Sequence, residues 1–304
     1  MSQPLVWLPF EPDRLGDPPS GLRYEVVAPT EQVPDSVDEV RFYVPPYAVA
    51  SGIADVIDRM TSLEVVQTLT AGVDNLLARI PDGVTLCSGR GIHDASTAEL
   101  AIALTLASLR GIPEFVRAQE RHEWTFKWRP ALADKRVLLV GHGAIGAAIE
   151  ARLAPFEVEI VRVARSARGG VHAIDELPAL LPDVDVVILC LPLTDATRGL
   201  VDADFLARMR SGALLVNVAR GAVVVTDDLV AALYEGRVRA AVDVAEEEPL
   251  PEDSPLWAAP GLLISPHVGG ASSAMWPRAH RIVRDQLHRY AAGEALWNIV
   301  NGPS

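Results

Sequence analysis

The chain of 304 residues holds two cysteines, Cys87 and Cys190, too few to build a disulfide framework. No group of His and Cys has metal-ligand spacing, so no metal is expected. Positive charge is also scarce: 27 Lys and Arg face 40 Asp and Glu, a net charge of −13. Such a balance repels phosphate backbones and anionic lipid, so neither nucleic acid nor a membrane surface is an expected partner. An anionic substrate must be drawn in by local positive groups working against the overall field. No apolar run reaches the roughly 18 residues of a membrane span, and no N-terminal signal is visible, so the expected location is the cytoplasm. Solenoid-period repeats and low-complexity tracts are missing as well.

What is present is ordinary globular material, 49% hydrophobic and 22% charged, enough for a large core. The length suggests about two domains. In the first hundred residues, Val-rich segments at 5–9, 24–28, 40–44, 65–70 and 84–87 read as strands, bounded by Pro, Gly or Asp. Helical patterns lie between them at 48–60 and 76–80. Ser96-Thr-Ala-Glu99 fits a capping box before a long apolar helix. Its apolar residues fall on more than one face, which predicts burial between lobes or between subunits. A polar helical stretch over 114–123 follows, then the aromatic cluster Trp124, Phe126 and Trp128, read as interface rather than pocket.

The second half is organised around Arg136-Val-Leu-Leu-Val-Gly141-His-Gly143-Ala144-Ile145-Gly146. An apolar strand, then G-x-G-x-x-G, then a helical pattern is the context that makes this motif a dinucleotide site. Gly141 permits the tight turn, Gly143 lets a pyrophosphate approach the backbone, and Gly146 lets helix and strand pack closely. Ala144 and Ile145 complete the loop at the helix N-terminus, whose N–H groups and dipole favour phosphate. Strands are expected at 136–140, 158–163, 184–191, 213–218, 238–244 and 262–265, six in all. Thr226-Asp-Asp228 is read as the cap of one intervening helix and Gly236 as its stop. A last helix over 272–295 leaves this domain and returns to the first.

In an NAD site the second strand ends in an acid that binds the ribose 2′-hydroxyl. Here it ends in Ala164, and Arg165, Ser166 and Arg168 follow. A missing carboxylate with two guanidinium groups suits a 2′-phosphate. NADP(H) is therefore the expected cofactor, with NAD(H) as the alternative.

Ligands of open α/β sheets bind beyond the carboxyl ends of the strands. After the last three predicted strands come Ala219-Arg220-Gly221, Ala245-Glu-Glu-Glu248-Pro249 and Pro266-His267-Val-Gly-Gly270. An arginine, a carboxylate and a histidine at one sheet edge can hold a carboxylate, polarise a carbonyl and transfer a proton.

These segments, with Leu191-Pro-Leu-Thr-Asp-Ala-Thr-Arg198 and Thr70-Ala-Gly-Val-Asp-Asn75, resemble the signatures of the D-isomer-specific 2-hydroxyacid dehydrogenases. The motifs run in the family's order across essentially the whole chain. The resemblance implies an α/β protein of two Rossmann-like or flavodoxin-like lobes with parallel sheets and a cleft between them. Residues 1–98 with 270–304 would form the substrate lobe, and 99–269 the dinucleotide lobe. It implies a triad: Arg220 gripping a 2-oxoacid, His267 as proton donor, Glu248 orienting His267. Asp243 would face the nicotinamide carboxamide, and Leu191, Pro192, Val218 and Ala219 would line the cofactor. Backbone N–H groups around Ala71, Gly72 and Val73 would bind the substrate carboxylate. The implied reaction is reduction of a small 2-oxoacid, glyoxylate or hydroxypyruvate foremost, by a homodimer. A phosphoglycerate dehydrogenase-like enzyme and a dinucleotide-sensing, corepressor-like binding protein are the alternatives. The chain departs from the family at Leu100, where many relatives have histidine, and at Glu157, where glycine is common.

Overall fold

A computed structural model gives the protein's structure and describes residues 3–27, 33–47 and 52–301. The chain falls into two compact units, Met1–His93 with Ser273–Ser304, and Asp94–Ser272.

The first unit contains strands β1 (Leu5–Leu8), β2 (Arg23–Val26), β3 (Val40–Tyr43), β4 (Val65–Gln67) and β5 (Thr85–Cys87), with helix α1 (Ile53–Ile57) between β3 and β4. The predicted helix over 48–60 is thus shorter; its positions 48–51, and position 28 of the second predicted strand, lie outside the described residues. The predicted helix at 76–80 is a single 3-10 turn, Leu77–Arg79. All pairings are parallel, in the order β2-β1-β3-β4-β5, which is the flavodoxin-like arrangement.

The second unit begins with α2 (Asp94–Arg110) and α3 (Ile112–Glu120), then alternates β6 (Arg136–Val140), α4 (Ala144–Leu153), β7 (Glu159–Ala164), β8 (His172–Ala173), α5 (Leu177–Leu180), β9 (Val186–Leu189), α6 (Ala203–Arg208), β10 (Leu214–Asn217), α7 (Thr226–Tyr234), β11 (Arg239–Val242) and β12 (Leu262–Ile264). Its sheet has seven parallel strands rather than the six expected, in the order β12-β11-β10-β9-β6-β7-β8. The extra strand, β8, is two residues long, too short to leave a periodic signal. Strand order reverses between β6 and β9, and both pair with the glycine-bearing strand or belong to it. That reversal opens a crevice at the carboxyl ends, the ligand position of doubly wound sheets.

Burial follows the two-residue period of strands. Val6 and Leu8 join one core, while Leu5 and Trp7 join the other. In the second sheet Leu138 and Val140 face one side, and Val137 and Leu139 face the other. The last helix, α8 (Met275–Ala292), buries Met275, Ala279, Val283 and Leu287 in the core of the first unit. Gly293 in left-handed conformation closes it.

Two local expectations need correction. The helix containing Ser96 starts at Asp94, so no capping box forms at Ser96. The Ser96 hydroxyl instead meets the Ser272 hydroxyl at 2.5 Å. Ala98, Ala101, Ile102, Leu104 and Leu109 of α2 are buried inside the second unit with residues of α4, β10 and β11, while Leu100 and Leu106 of the same helix are partly buried. At α7, Val225 is the N-cap residue; Thr226 donates its hydroxyl to Glu246 (2.9 Å) and Asp228 accepts the Ala203 N–H (2.9 Å). Both side chains serve long-range contacts, which outcompete local capping. Trp124 and Trp128 are fully exposed, at 101% and 91%.

Candidate active site

The phosphate loop is dictated by close approach. Gly141 has φ +107°, and a Cβ there would lie 2.6 Å from the Cys190 carbonyl oxygen. A Cβ at Gly146 would lie 2.3 Å from the Gly141 oxygen, so only glycine lets α4 sit this close to β6. Gly143, the N-cap of α4, meets nothing within 4 Å of where a Cβ would stand, leaving room for a ligand at the helix terminus. Cys190 closes the loop from β9, its thiol directed at the Gly141 oxygen at 2.9 Å. Burial pushes that thiol up to about 12. Beyond β7, Arg165, Ser166 and Arg168 form an exposed turn with no carboxylate at the strand end. Arg168 donates from Nη2 to the carbonyl of His142 at 2.8 Å. Open space at Gly143, a dipole end and two arginines fit a dinucleotide carrying an extra phosphate. Leu191, buried, and Pro192, exposed, follow β9.

The ends of β10, β11 and β12 are adjacent in the sheet, and each contributes one member of the predicted triad. After β10, Asn217 braces the turn: its Nδ2 donates to the Arg220 carbonyl and its Oδ1 accepts the Ala219 N–H, each at 3.0 Å. Val218 and Ala219 are buried, which leaves Arg220 at the mouth of the turn. Arg220 Nη1 donates to the Ala219 carbonyl at 2.8 Å. Gly221 then passes so close to the β11 loop that a Cβ would lie 1.9 Å from both C and O of Ala245.

In that second loop the Glu248 carboxylate bridges two partners. Oε1 accepts the Ala245 N–H at 2.9 Å, and Oε2 meets His267 Nδ1 at 2.5 Å. An ionised carboxylate only accepts, so His267 donates from Nδ1 and presents Nε2 outward. His267 itself sits at φ +51°, a left-handed conformation that costs about 1–3 kcal/mol unless its surroundings hold it. Asp243, buried at the end of β11, does the holding. Its main-chain oxygen accepts the His267 N–H at 2.7 Å. Its carboxylate accepts the Ser265 hydroxyl (2.6 Å) and the N–H groups of Val268 (2.9 Å) and Gly269 (2.8 Å). Neither this clamp nor the Asn217 brace is signalled by a motif; the clamp depends on partners up to 26 residues away, while the brace is a local turn with partners two and three residues on.

The electrostatics suit a proton donor. The hydrogen bond to Glu248 raises the His267 pKa, burial opposes it, the charges of Glu248 and Asp243 add to the rise, and Arg220 subtracts. Burial works to raise Glu248, but the His267 and Ala245 hydrogen bonds and the nearby positive charges outweigh it, and its carboxyl is held below the ordinary range. In the first unit, Ala71 and Gly72 are half-buried and Val73 is buried in the loop after β4. The Thr68 hydroxyl (2.8 Å) and the Gly89 N–H (2.7 Å) pin that loop through the Thr70 carbonyl.

A phosphate loop opening a helix at the switch point, with an arginine and a carboxylate-backed histidine at the carboxyl edge of the same sheet, defines a nicotinamide-dependent oxidoreductase. Residues 102–269 match the model of the D-isomer specific 2-hydroxyacid dehydrogenase NAD binding domain, and the chain belongs to that family. It is 33% identical over 82% of its length to a D-3-phosphoglycerate dehydrogenase of Methanocaldococcus jannaschii, of which it spans about half, 50%. It is 34% identical to the human glyoxylate reductase/hydroxypyruvate reductase, over 69% of each chain. A D-isomer specific 2-hydroxyacid dehydrogenase from Xanthobacter autotrophicus Py2, solved with NADPH and MES, superposes with TM-score 0.82 at 32% identity, covering 99% of this chain and 98% of that one. The cofactor is accordingly NAD(P)H.

Proposed function

We propose that the protein reduces a small 2-oxoacid, glyoxylate or hydroxypyruvate foremost, to the D-2-hydroxyacid, and prefers NADPH. The observation that carries the reading is the His267–Glu248 pair at 2.5 Å, set beside Arg220 at the carboxyl edge of the dinucleotide sheet. The bound nicotinamide supplies the hydride. Arg220 holds the substrate carboxylate and polarises the 2-oxo group, in a role a guanidinium fork suits. His267 gives the proton from Nε2 to the oxygen that becomes the hydroxyl, and takes it back in the reverse direction. Glu248 fixes the ring by Nδ1 and favours its protonated form. Backbone N–H groups of Ala71, Gly72 and Val73 bind the substrate carboxylate, and Asp243, Leu191, Pro192, Val218 and Ala219 lie along the cofactor. Arg165, Ser166 and Arg168 receive the 2′-phosphate. The expected assembly is a homodimer.

The test is the initial rate with a panel of 2-oxoacids, each run with NADPH and NADH. Reduction of glyoxylate or hydroxypyruvate with NADPH supports the reading. Preference for a phosphorylated 2-oxoacid would give the phosphoglycerate dehydrogenase-like alternative, and NADPH-dependent capture of a partner without turnover would give the corepressor-like one. Equal efficiency with NADH would remove the cofactor preference. His267→Gln should abolish turnover while cofactor affinity stays near wild type; retained turnover overturns the assignment.

A further inference from the structure

His142, between the first two glycines of the phosphate loop, is gripped at both ends. Its Nε2 lies 2.6 Å from Oε2 of Glu150, two turns along α4. The other carboxylate oxygen of Glu150 accepts from Nη2 of Arg162 on β7. The carbonyl of His142 accepts from Nη2 of Arg168, in the turn beyond the same strand, at 2.8 Å. Glu150 therefore links the phosphate loop, α4 and β7, and the loop in turn holds Arg168. The Arg162 hydrogen bond, against the effect of burial and with help from His142, draws the Glu150 carboxyl down to about 2. It is ionised wherever the protein is folded at ordinary pH, so Nε2–H of His142 donates to it.

We propose that Glu150 and His142 are positioning residues that hold Arg168 ready for the 2′-phosphate of the dinucleotide, and so set the discrimination between NADPH and NADH. The proposal rests on the reading of Arg165 and Arg168 as the phosphate-selecting pair. Arg168 is exposed and is followed by Gly169 and Gly170, both exposed and with open space around them. A long side chain on such a turn loses much rotamer freedom when it binds, unless it is held beforehand. Its bond to the His142 carbonyl supplies that restraint and leaves its remaining N–H groups for phosphate oxygens. The carbonyl keeps its place only while the imidazole is anchored to Glu150. NADH lacks the phosphate that Arg168 meets, so the relay bears on one cofactor and not on the other.

The experiment measures NADPH and NADH dissociation constants by nicotinamide fluorescence for the wild type, Glu150→Ala, His142→Ala, Arg168→Ala and the Glu150→Ala/Arg168→Ala pair. Glu150→Ala should weaken NADPH about 10-fold and leave NADH within about 2-fold, and His142→Ala should behave alike. In the Arg168→Ala background the Glu150 change should no longer alter the ratio of the two constants. Glu150→Gln, which keeps the shape and can still accept from Arg162, should fall between wild type and alanine and serves if the alanine variant does not fold. Equal weakening of both cofactors, or full additivity with Arg168→Ala, overturns the relay. A wild type that binds both cofactors equally, or an Arg168→Ala variant with an unchanged ratio, overturns the 2′-phosphate reading and the relay with it.

Discussion

The contact at Gly221 makes the sharpest use of the geometry. A β-carbon at this position would stand 1.9 Å from the carbonyl carbon and oxygen of Ala245 and 2.3 Å from the Glu246 nitrogen. Ordinary contact begins near 3.4 Å, so the loops after β10 and β11 must part by roughly 1.5 Å to admit it. All three obstructing atoms are backbone, and no rotamer change relieves them. Overpacking of this kind costs about 1–3 kcal/mol, which lowers the melting temperature by about 2–4 °C for each kcal/mol in a domain of this size. The same displacement separates Arg220, next to Gly221, from Glu248 and the His267 it orients. A misplacement of about 1 Å in a reacting constellation can cost about 100-fold in rate. Gly221→Ala should therefore melt several degrees lower and reduce 2-oxoacids about 100-fold more slowly, while NADPH affinity falls far less. Thermal denaturation by circular dichroism, steady-state rates and cofactor titration on one preparation decide it. A variant with wild-type melting and rate would show that the loops do not meet as described.

Two further outcomes follow from single residues. Glu157 sits at φ +58° and ψ 43° after α4, a left-handed conformation that glycine adopts freely; Glu157→Gly should stabilise the protein by about 1 kcal/mol, seen as a rise in melting temperature. Burial raises the Cys87 thiol to about 11, against a hydrogen bond with Gln286, and raises Cys190 to about 12; because the thiolate is the reactive form, neither should react with a disulfide reagent at neutral pH until the protein is unfolded.

Much of this was legible in the sequence, for physical reasons that also mark the limit. Val137–Val140 and the Val-rich segments of the first unit announce themselves because strands buried on both faces are continuous apolar runs. Arg220 and His267 stand out because strand ends place the residues after them at one sheet edge, while Glu248 is singled out from Glu246–Glu248 only by the family resemblance. The left-handed turn at Glu157 showed only as a departure from glycine. What sequence cannot carry is side-chain reach. The Asp243 clamp, the Thr226–Glu246 bond and the Glu150 relay join residues whose spacing has no period. The Ser96 capping box failed because the chain had already entered the helix at Asp94, and the motif, though well formed, fell inside it. The composition of α2 likewise does not say which of its apolar residues its own unit buries, and these are Ala98, Ala101, Ile102, Leu104 and Leu109.

The most direct test of the central claim is the pH dependence of 2-oxoacid reduction, measured for the wild type and Glu248→Gln with cofactor affinity followed in parallel. His267 must be protonated to donate, and its pKa is raised, first by the Glu248 hydrogen bond. Reduction should therefore persist above the ordinary histidine range and fall as pH passes the raised value. Replacing the carboxylate by an amide removes the main cause of the rise, so the falling limb should move to lower pH while NADPH still binds. A limb that stays in place in Glu248→Gln, or a rate that climbs with pH, would contradict the account of His267 as the proton donor.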